Sequence, residues 1–173
     1  MAAAGLLCCA LALAACGSDE TAGAGDPSAT PEWPDPLPAY GPDFTDVVAP
    51  VYSPDLDGDA DPGEVVWTWV PYEDDPLQGK DRPVLVVGHD GPWVLGLMLT
   101  SKDHDRDAAD EARFGRYWMD LGSGDWDSQG RDSEVRLDRI LRVNPDEIRR
   151  EGAVLDRERF DAVVGSLPAA NDW

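Results

Sequence analysis

Apolar and polar residues alternate with a period of two through most of the second half of the chain. EVVWTWV (64–70), RPVLVVG (82–88), PWVLGLMLTS (92–101), RYWMDLG (116–122) and EVRLDRILRV (134–143) are rich in β-branched and aromatic residues. Gly, Pro and Asp punctuate the gaps between them, so each segment predicts a short strand. Pro83 suits the first residues of a strand rather than its middle. The period then changes. Asn144-Pro145-Asp146-Glu147 has the order of an N-cap, a proline at N1 and a glutamate at N3, which predicts a helix start. Phe160, Val163, Val164 and Leu167 share one face at helical spacing. Strands followed by one or two helices predict a mainly β (α+β) fold, a small barrel with its helices gathered at the C-terminal end.

The first half reads differently. Residues 1–15, MAAAGLLCCALALAA, are uncharged and apolar and lead into Cys16. The run is shorter than the roughly 20 residues a membrane span needs, and it resembles the core of a bacterial secretory signal. Leu13-Ala14-Ala15-Cys16 also has the lipobox form of bacterial lipoproteins, although no Lys or Arg precedes the apolar run. The resemblance implies cleavage before Cys16, lipidation of that cysteine, and a mature protein anchored to the cell membrane on its extracytoplasmic face. Cys8 and Cys9 fall in the removed segment, which leaves the mature chain no disulfide frame and no cysteine nucleophile.

Residues 16–62 hold eleven acidic groups and no Lys or Arg, and Pro31, Pro34, Pro36, Pro38 and Pro42 recur too closely for regular structure. This stretch predicts a disordered tether, with Trp33, Tyr40, Phe44 and the VVAPVY run as points that either stay solvated or dock on the domain. Residues 63–173 form the predicted domain. DLDGDADPGE (55–64) offers carboxylates at alternate positions, but a calcium loop begun at Asp55 or Asp57 places Ala60 or Pro62 where glycine is required. No metal site is expected there or elsewhere.

On these residues the domain resembles the PemK/MazF family, the toxins of type II toxin–antitoxin systems. Gly63-Glu64-Val65 followed by Gly79-Lys80-Asp81-Arg82-Pro83-Val84-Leu85-Val86 matches the family's opening block. Leu97-Met98-Leu99-Thr100-Ser101 matches a later strand. Arg131-Asp132-Ser133-Glu134-Val135-Arg136-Leu137-Asp138 with Ile140-Leu141-Arg142-Val143 matches a third. The resemblance implies an SH3-like barrel that dimerises, a cognate antitoxin, and cofactor-free, metal-independent cleavage of single-stranded RNA by the ribose 2′-hydroxyl. It carries catalytic roles to Arg82, Thr100, Arg136 and Asp138, with Lys80, Ser101 and Lys102 as substrate-binding neighbours. Period two places Arg136 and Asp138 on one strand face while Val135 and Leu137 point the other way. An arginine keeps its charge at any working pH, so transition-state stabilisation suits Arg136 better than proton transfer.

Each residue also has a plainer reading. Arg82 can pair with Asp81 or Glu64 at the barrel rim, Arg136 and Asp138 can form a surface ion pair, and Thr100 is an ordinary strand-end residue. His104 in SKDHD reads as a solvated loop residue or a proton shuttle. The charge opposes simple RNA binding, since the whole chain carries −21 and all fourteen basic residues in 63–173 face a larger number of carboxylates. A catalytically inactive, lipid-anchored binding module of the envelope is therefore the alternative. A basic cleft around Arg82 and Arg136 favours the nuclease; an acidic or aromatic groove favours the module.

Overall fold

The computed structural model describes residues 32–171 and 173. Cys16, the expected signal segment 1–15 and the expected tether as far as residue 31 lie outside them. All five expected strands form: β1 (Glu64–Pro71), β2 (Gly79–Asp90), β3 (Trp93–Thr100), β4 (Trp118–Gly122) and β5 (Ser133–Val143). A sixth, β6 (Arg150–Val154), completes an antiparallel sheet in the order β4-β5-β3-β2-β1-β6. The sheet curls into a half-barrel closed by a C-terminal helix. A short helix α1 (Ala108–Arg113) lies between β3 and β4, and α2 (Arg157–Asn171) ends the chain.

Alternation sends the apolar residues to two faces. Val65, Leu85, Val87, Leu95, Leu97, Leu99, Val135 and Ile140 pack with Phe160, Val163 and Leu167 of α2, while Val66, Val70, Val84, Val86, Val94, Met98, Leu141 and Val143 form a second cluster. The four residues expected on one helix face do meet the core, with Val164 packed at its margin. Burying each such side chain stabilises the fold by about 1.5–3 kcal/mol before conformational entropy is set against it.

Three expectations need correction. The Asn144 cap is real, its side chain accepting from Asp146 N–H at 3.0 Å, yet it starts a single 3₁₀ turn (Pro145–Glu147) and not a helix. The chain leaves that turn because β6 pairs with the outer edge of β1, and a strand cannot be reached from inside a helix. Pro83 is the fifth residue of β2 rather than one of its first. It is tolerated because β3 joins β2 only from the Val84–Met98 pair onward, so at Pro83 the strand is still an outer one.

The third correction concerns the tether. Trp33–Trp173 is one compact unit, so the stretch from Trp33 to Pro62 belongs to the domain. It runs as a strap along the half of β5 that β4 leaves uncovered, bridging Tyr40 to Val143 and Phe44 to Ile140. Phe44 N–H donates to Ile140 C=O at 2.8 Å, and Asn144 donates through its side chain to Leu37 C=O at 3.1 Å. Val48 is buried in the helix-side core, and the Tyr52 ring meets Phe160 with centroids 5.2 Å apart while its hydroxyl donates to Leu155 C=O at 2.8 Å. The acidic loop 55–64 is likewise tied down. The buried Glu64 carboxylate accepts from the amides of Asp55 and Asp61, at 3.0 and 3.3 Å.

Because the strap supplies core side chains, a chain beginning at residue 63 is expected to lose cooperative unfolding in urea, whereas one beginning at Trp33 keeps it. Tyr52→Phe, which removes only the bond to Leu155, is expected to cost about 1 kcal/mol by the same measurement.

Candidate functional site

β2 begins well before β3 reaches it, and β3 ends at Thr100, so the two strands splay apart at one end of the sheet. Lys80 and Arg82 continue the face of Val84 and Val86 along β2, and Thr100 continues the face of Met98 along β3. Thr68 on β1 lies directly opposite Arg82. The splay opens a cleft of about 330 Å³, whose lining includes Lys80, Arg82, Met98, Thr100, Lys102, Trp118 and Arg136. Arg116, Arg139 and His104 join them, with Glu73, Asp74 and Glu111 as the carboxylates among the described lining residues. Six of the fourteen basic residues of a chain with net charge −21 thus converge on one cleft.

Arg82 has neither of the rim partners open to it on sequence grounds. Asp81 is held by Arg149 and Glu64 by the strap amides. No ion pair or hydrogen bond to the Arg82 guanidinium exists among the described residues. Burial lowers its affinity for its proton, with Tyr72 opposing. Lys80 is also shifted down, first by the charge of Arg82 and then by burial. Two uncompensated cations side by side favour an anion between or above them.

Arg136 is the opposite case. Leu99 pairs with Val135 and Leu97 with Ile140, so β5 bows out of register with β3 from Arg136 to Arg139. A bulge of this kind re-aims side chains, and here it brings Arg136 and Arg139 together on the cleft. Arg136 is only 5% exposed. Its Nη2 and Nε donate to Asp138 Oδ2 at 2.6 and 3.0 Å, and its Nη1 donates to Glu73 Oε2 at 3.0 Å. Burial alone would pull its pKa down, but these bonds outweigh burial and hold it above the ordinary value. The bond from Arg136 holds the Glu73 carboxyl below the usual carboxylate range. Asp138 sits behind Arg136 and also accepts from Tyr117 N–H at 2.7 Å, which ties β5 to the approach of β4. The pair therefore lies within one strand, on one face as expected, with Arg136 buried and Asp138 half-buried.

The remaining candidates divide. Lys102 lines the cleft, and its amide donates to Thr100 Oγ1 at 3.2 Å. Ser101 points to the other side of the loop, into an acidic concavity with Asp103, Asp105, Asp120, Asp132 and Glu134. His104 is not solvated: it is 6% exposed and its ring stacks on Trp118 with centroids 3.9 Å apart and planes 4° from parallel. Trp118 Nε1 is the one buried side-chain polar atom without a partner among the described residues. Sequence reasoning missed Arg116, Arg139 and Trp118 because their arrival depends on the bulge and on loop packing, which no local pattern encodes. Next to the cleft, sharing Tyr72, Glu73 and Arg139 with it, lies an apolar groove lined by Tyr40, Pro42, Trp69 and Pro76.

The two arginines should separate in stability. Asp138→Ala leaves the Arg136 charge buried with part of its hydrogen bonding gone and is expected to destabilise by about 3–5 kcal/mol. Arg82→Ala removes a cation without a partner and is expected to stay within about 0.5 kcal/mol of the parent. Urea denaturation of both variants decides between these outcomes.

Residues 61–169 match the family described as PemK-like, MazF-like toxin of type II toxin–antitoxin system. No curated protein matches the chain. Among solved structures, the crystal structure of MazE–MazF (form II) from Deinococcus radiodurans is similar at 18% identity, with 69% of this chain and 96% of that chain covered and a TM-score of 0.43. The family match spans more than half of the chain and takes in every strand and most of α2, so this protein belongs to the PemK-like, MazF-like toxins of type II toxin–antitoxin systems.

Proposed function

We propose that the splayed cleft is the active site of an endoribonuclease that cleaves single-stranded RNA by attack of the ribose 2′-hydroxyl on its own phosphate. The observation that carries this reading is Arg82, a half-buried cation with no partner among the described residues, placed beside Lys80 and across from Thr100. A backbone phosphate satisfies that arrangement. Arg82 faces the charge that builds on the phosphoryl oxygens, Thr100 holds the phosphate through its hydroxyl, and Lys80 and Lys102 neutralise flanking phosphates. Arg136 adds a fixed positive field whose direction Asp138 and Glu73 set. Asp138 acts through Arg136, since its oxygens are already taken by that guanidinium and by Tyr117 N–H. The aromatic groove continues the cleft and offers faces on which bases can stack. The family implies a cognate antitoxin and a homodimer as partners.

A second reading rests on the same groove and on Arg136, whose donors are already engaged by two carboxylates. It makes the protein a catalytically inactive binding module that uses its own aromatic-rich surface for an envelope partner. RNA cleavage decides between the two. Purified protein with EDTA present is expected to cut a long single-stranded RNA and leave cyclic-phosphate ends. Arg82→Ala is expected to lower the rate by about 10²–10³. Intact RNA with wild type and Arg82→Ala alike would remove the nuclease reading.

The lipobox supports a lipid anchor at Cys16, with the domain held at the extracytoplasmic face of the cell membrane. Two acyl chains suffice for stable attachment where one does not. No described helix is long and apolar enough to cross a membrane. In fractionated cells the protein is expected with the membranes, and Cys16→Ala in the soluble or precursor fraction. Uncleaved wild-type protein in the cytoplasm would overturn the anchor.

A further inference from the structure

We propose that His104 is a further catalytic residue of this cleft, the base that takes the proton of the attacking 2′-hydroxyl, with Glu134 as its positioning residue. This rests on the endoribonuclease reading. SKDHD leaves His104 open between a solvated loop residue and a proton shuttle, and the fold immobilises it at three points. Glu134 Oε1 accepts from the His104 backbone N–H at 2.8 Å, and Glu134 Oε2 meets Nδ1 at 2.7 Å. The Trp118 ring closes one face. A carboxylate at Nδ1 assigns the tautomer that carries its proton there, which leaves the Nε2 lone pair available.

Nε2 has no hydrogen-bond partner among the described residues. It is also absent from their buried unpartnered atoms, so it reaches solvent from an otherwise buried ring. His104 lines the same cleft as Lys80, Arg82, Thr100 and Arg136. This histidine keeps a ring nitrogen without a protein partner among the described residues, in a cleft that also holds the unpaired Arg82 and Lys80. It also supplies what Asp138 cannot, because both Asp138 oxygens are occupied.

In the step, Nε2 accepts the 2′-hydroxyl proton while the O2′–P bond forms. The P–O5′ bond breaks with its electron pair on O5′, and water protonates that oxygen. The imidazolium, steadied by Glu134, returns its proton to water as the cyclic phosphate leaves. The ionisable groups facing His104 are Glu134 from β5, Asp120 from β4, Asp105 from the following turn, Arg116 before β4 and Glu111 from α1. Tyr117 also lines the small pocket beside His104, and Lys102, Arg136, Lys80, Arg82, Arg139, Tyr72, Glu73 and Asp74 share the cleft with it.

The test uses the full chain, a short single-stranded RNA and EDTA, with rates taken from about pH 5 to 8, the range in which an imidazole changes charge. His104→Asn keeps a donor near Glu134 and removes Nε2; His104→Gln serves should that variant melt early. Both are expected to lower kcat by about 10²–10⁴ with KM nearly unchanged. They should lose the acidic limb of the rate–pH profile and regain part of the rate with added imidazole. Glu134→Gln should move that limb without abolishing activity. If both His104 variants keep the wild-type rate and limb while Arg82→Ala is inactive, the assignment to His104 is overturned and the nuclease reading stands. If the wild type itself leaves the RNA intact at every pH, the nuclease reading fails, and the role of His104 goes with it.

Discussion

The burial of Arg136 is the constraint on which the cleft depends. A guanidinium so far from water is tolerable only if its hydrogens and charge are met inside the protein. Asp138 meets them from the same strand and Glu73 from the loop joining β1 to β2. Asp138 then reaches Tyr117 N–H ahead of β4. Three separate pieces of chain are held by one cation, and they are the pieces that wall the cleft. Arg116 adds a looser contact to Glu73 at 3.6 Å on the same side. The bulge of β5 makes room for this arrangement, since a regular β5 would send Arg139 to the opposite face from Arg136.

Charge placement follows from the same economy. A chain of −21 can gather cations at one place only if its many carboxylates are held elsewhere or paired. Arg131, Arg142, Arg149, Arg157 and Arg159 all pair with nearby carboxylates away from the cleft. Arg139 is bound to Asp43 of the strap and to Pro71 C=O. Among the cleft cations Arg82, Lys80 and Lys102 have no ion pair among the described residues, so the local field is positive although the net charge is not. The acidic concavity beside Ser101 is its counterpart. There, neighbouring carboxylates, Asp105 first, push the Asp120 carboxyl above its ordinary range.

The strap gives the domain a feature beyond the region that matches its family, which begins at residue 61. It covers an edge of β5 that the short β4 leaves open, and uncovered edges invite pairing with other chains. It also contributes Tyr40 and Pro42 to the groove beside the cleft, so part of that surface comes from outside the family pattern. Tyr40 is pinned there by a contact of 3.1 Å between its hydroxyl and Thr68 Oγ1, and burial pushes its phenol up to about 12.

The strands from β1 to β5 and the buried face of α2 were legible because each is written in a local period, two or 3.6, that survives without knowledge of partners. The family blocks singled out Arg82, Thr100, Arg136 and Asp138, and strand alternation put Arg136 and Asp138 on one face, but it took the sheet and the bulge of β5 to bring Arg82, Thr100 and Arg136 to one cleft. β6 was not legible. REGAV carries little apolar signal, and its strand exists because the edge of β1 offers it hydrogen bonds. The strap read as a tether because its prolines forbid regular structure, yet an irregular chain can still dock when isolated aromatic residues find pockets, as Phe44 and Tyr52 do. His104 shows the limit most clearly. Its neighbours in sequence are all polar, and only the fold brings Glu134 and Trp118 around it from β5 and β4. Local sequence determines which backbone conformations and faces a segment prefers. Burial, pairing and the charge of a neighbour thirty residues away belong to the tertiary structure, because each is a property of two segments together and of neither alone.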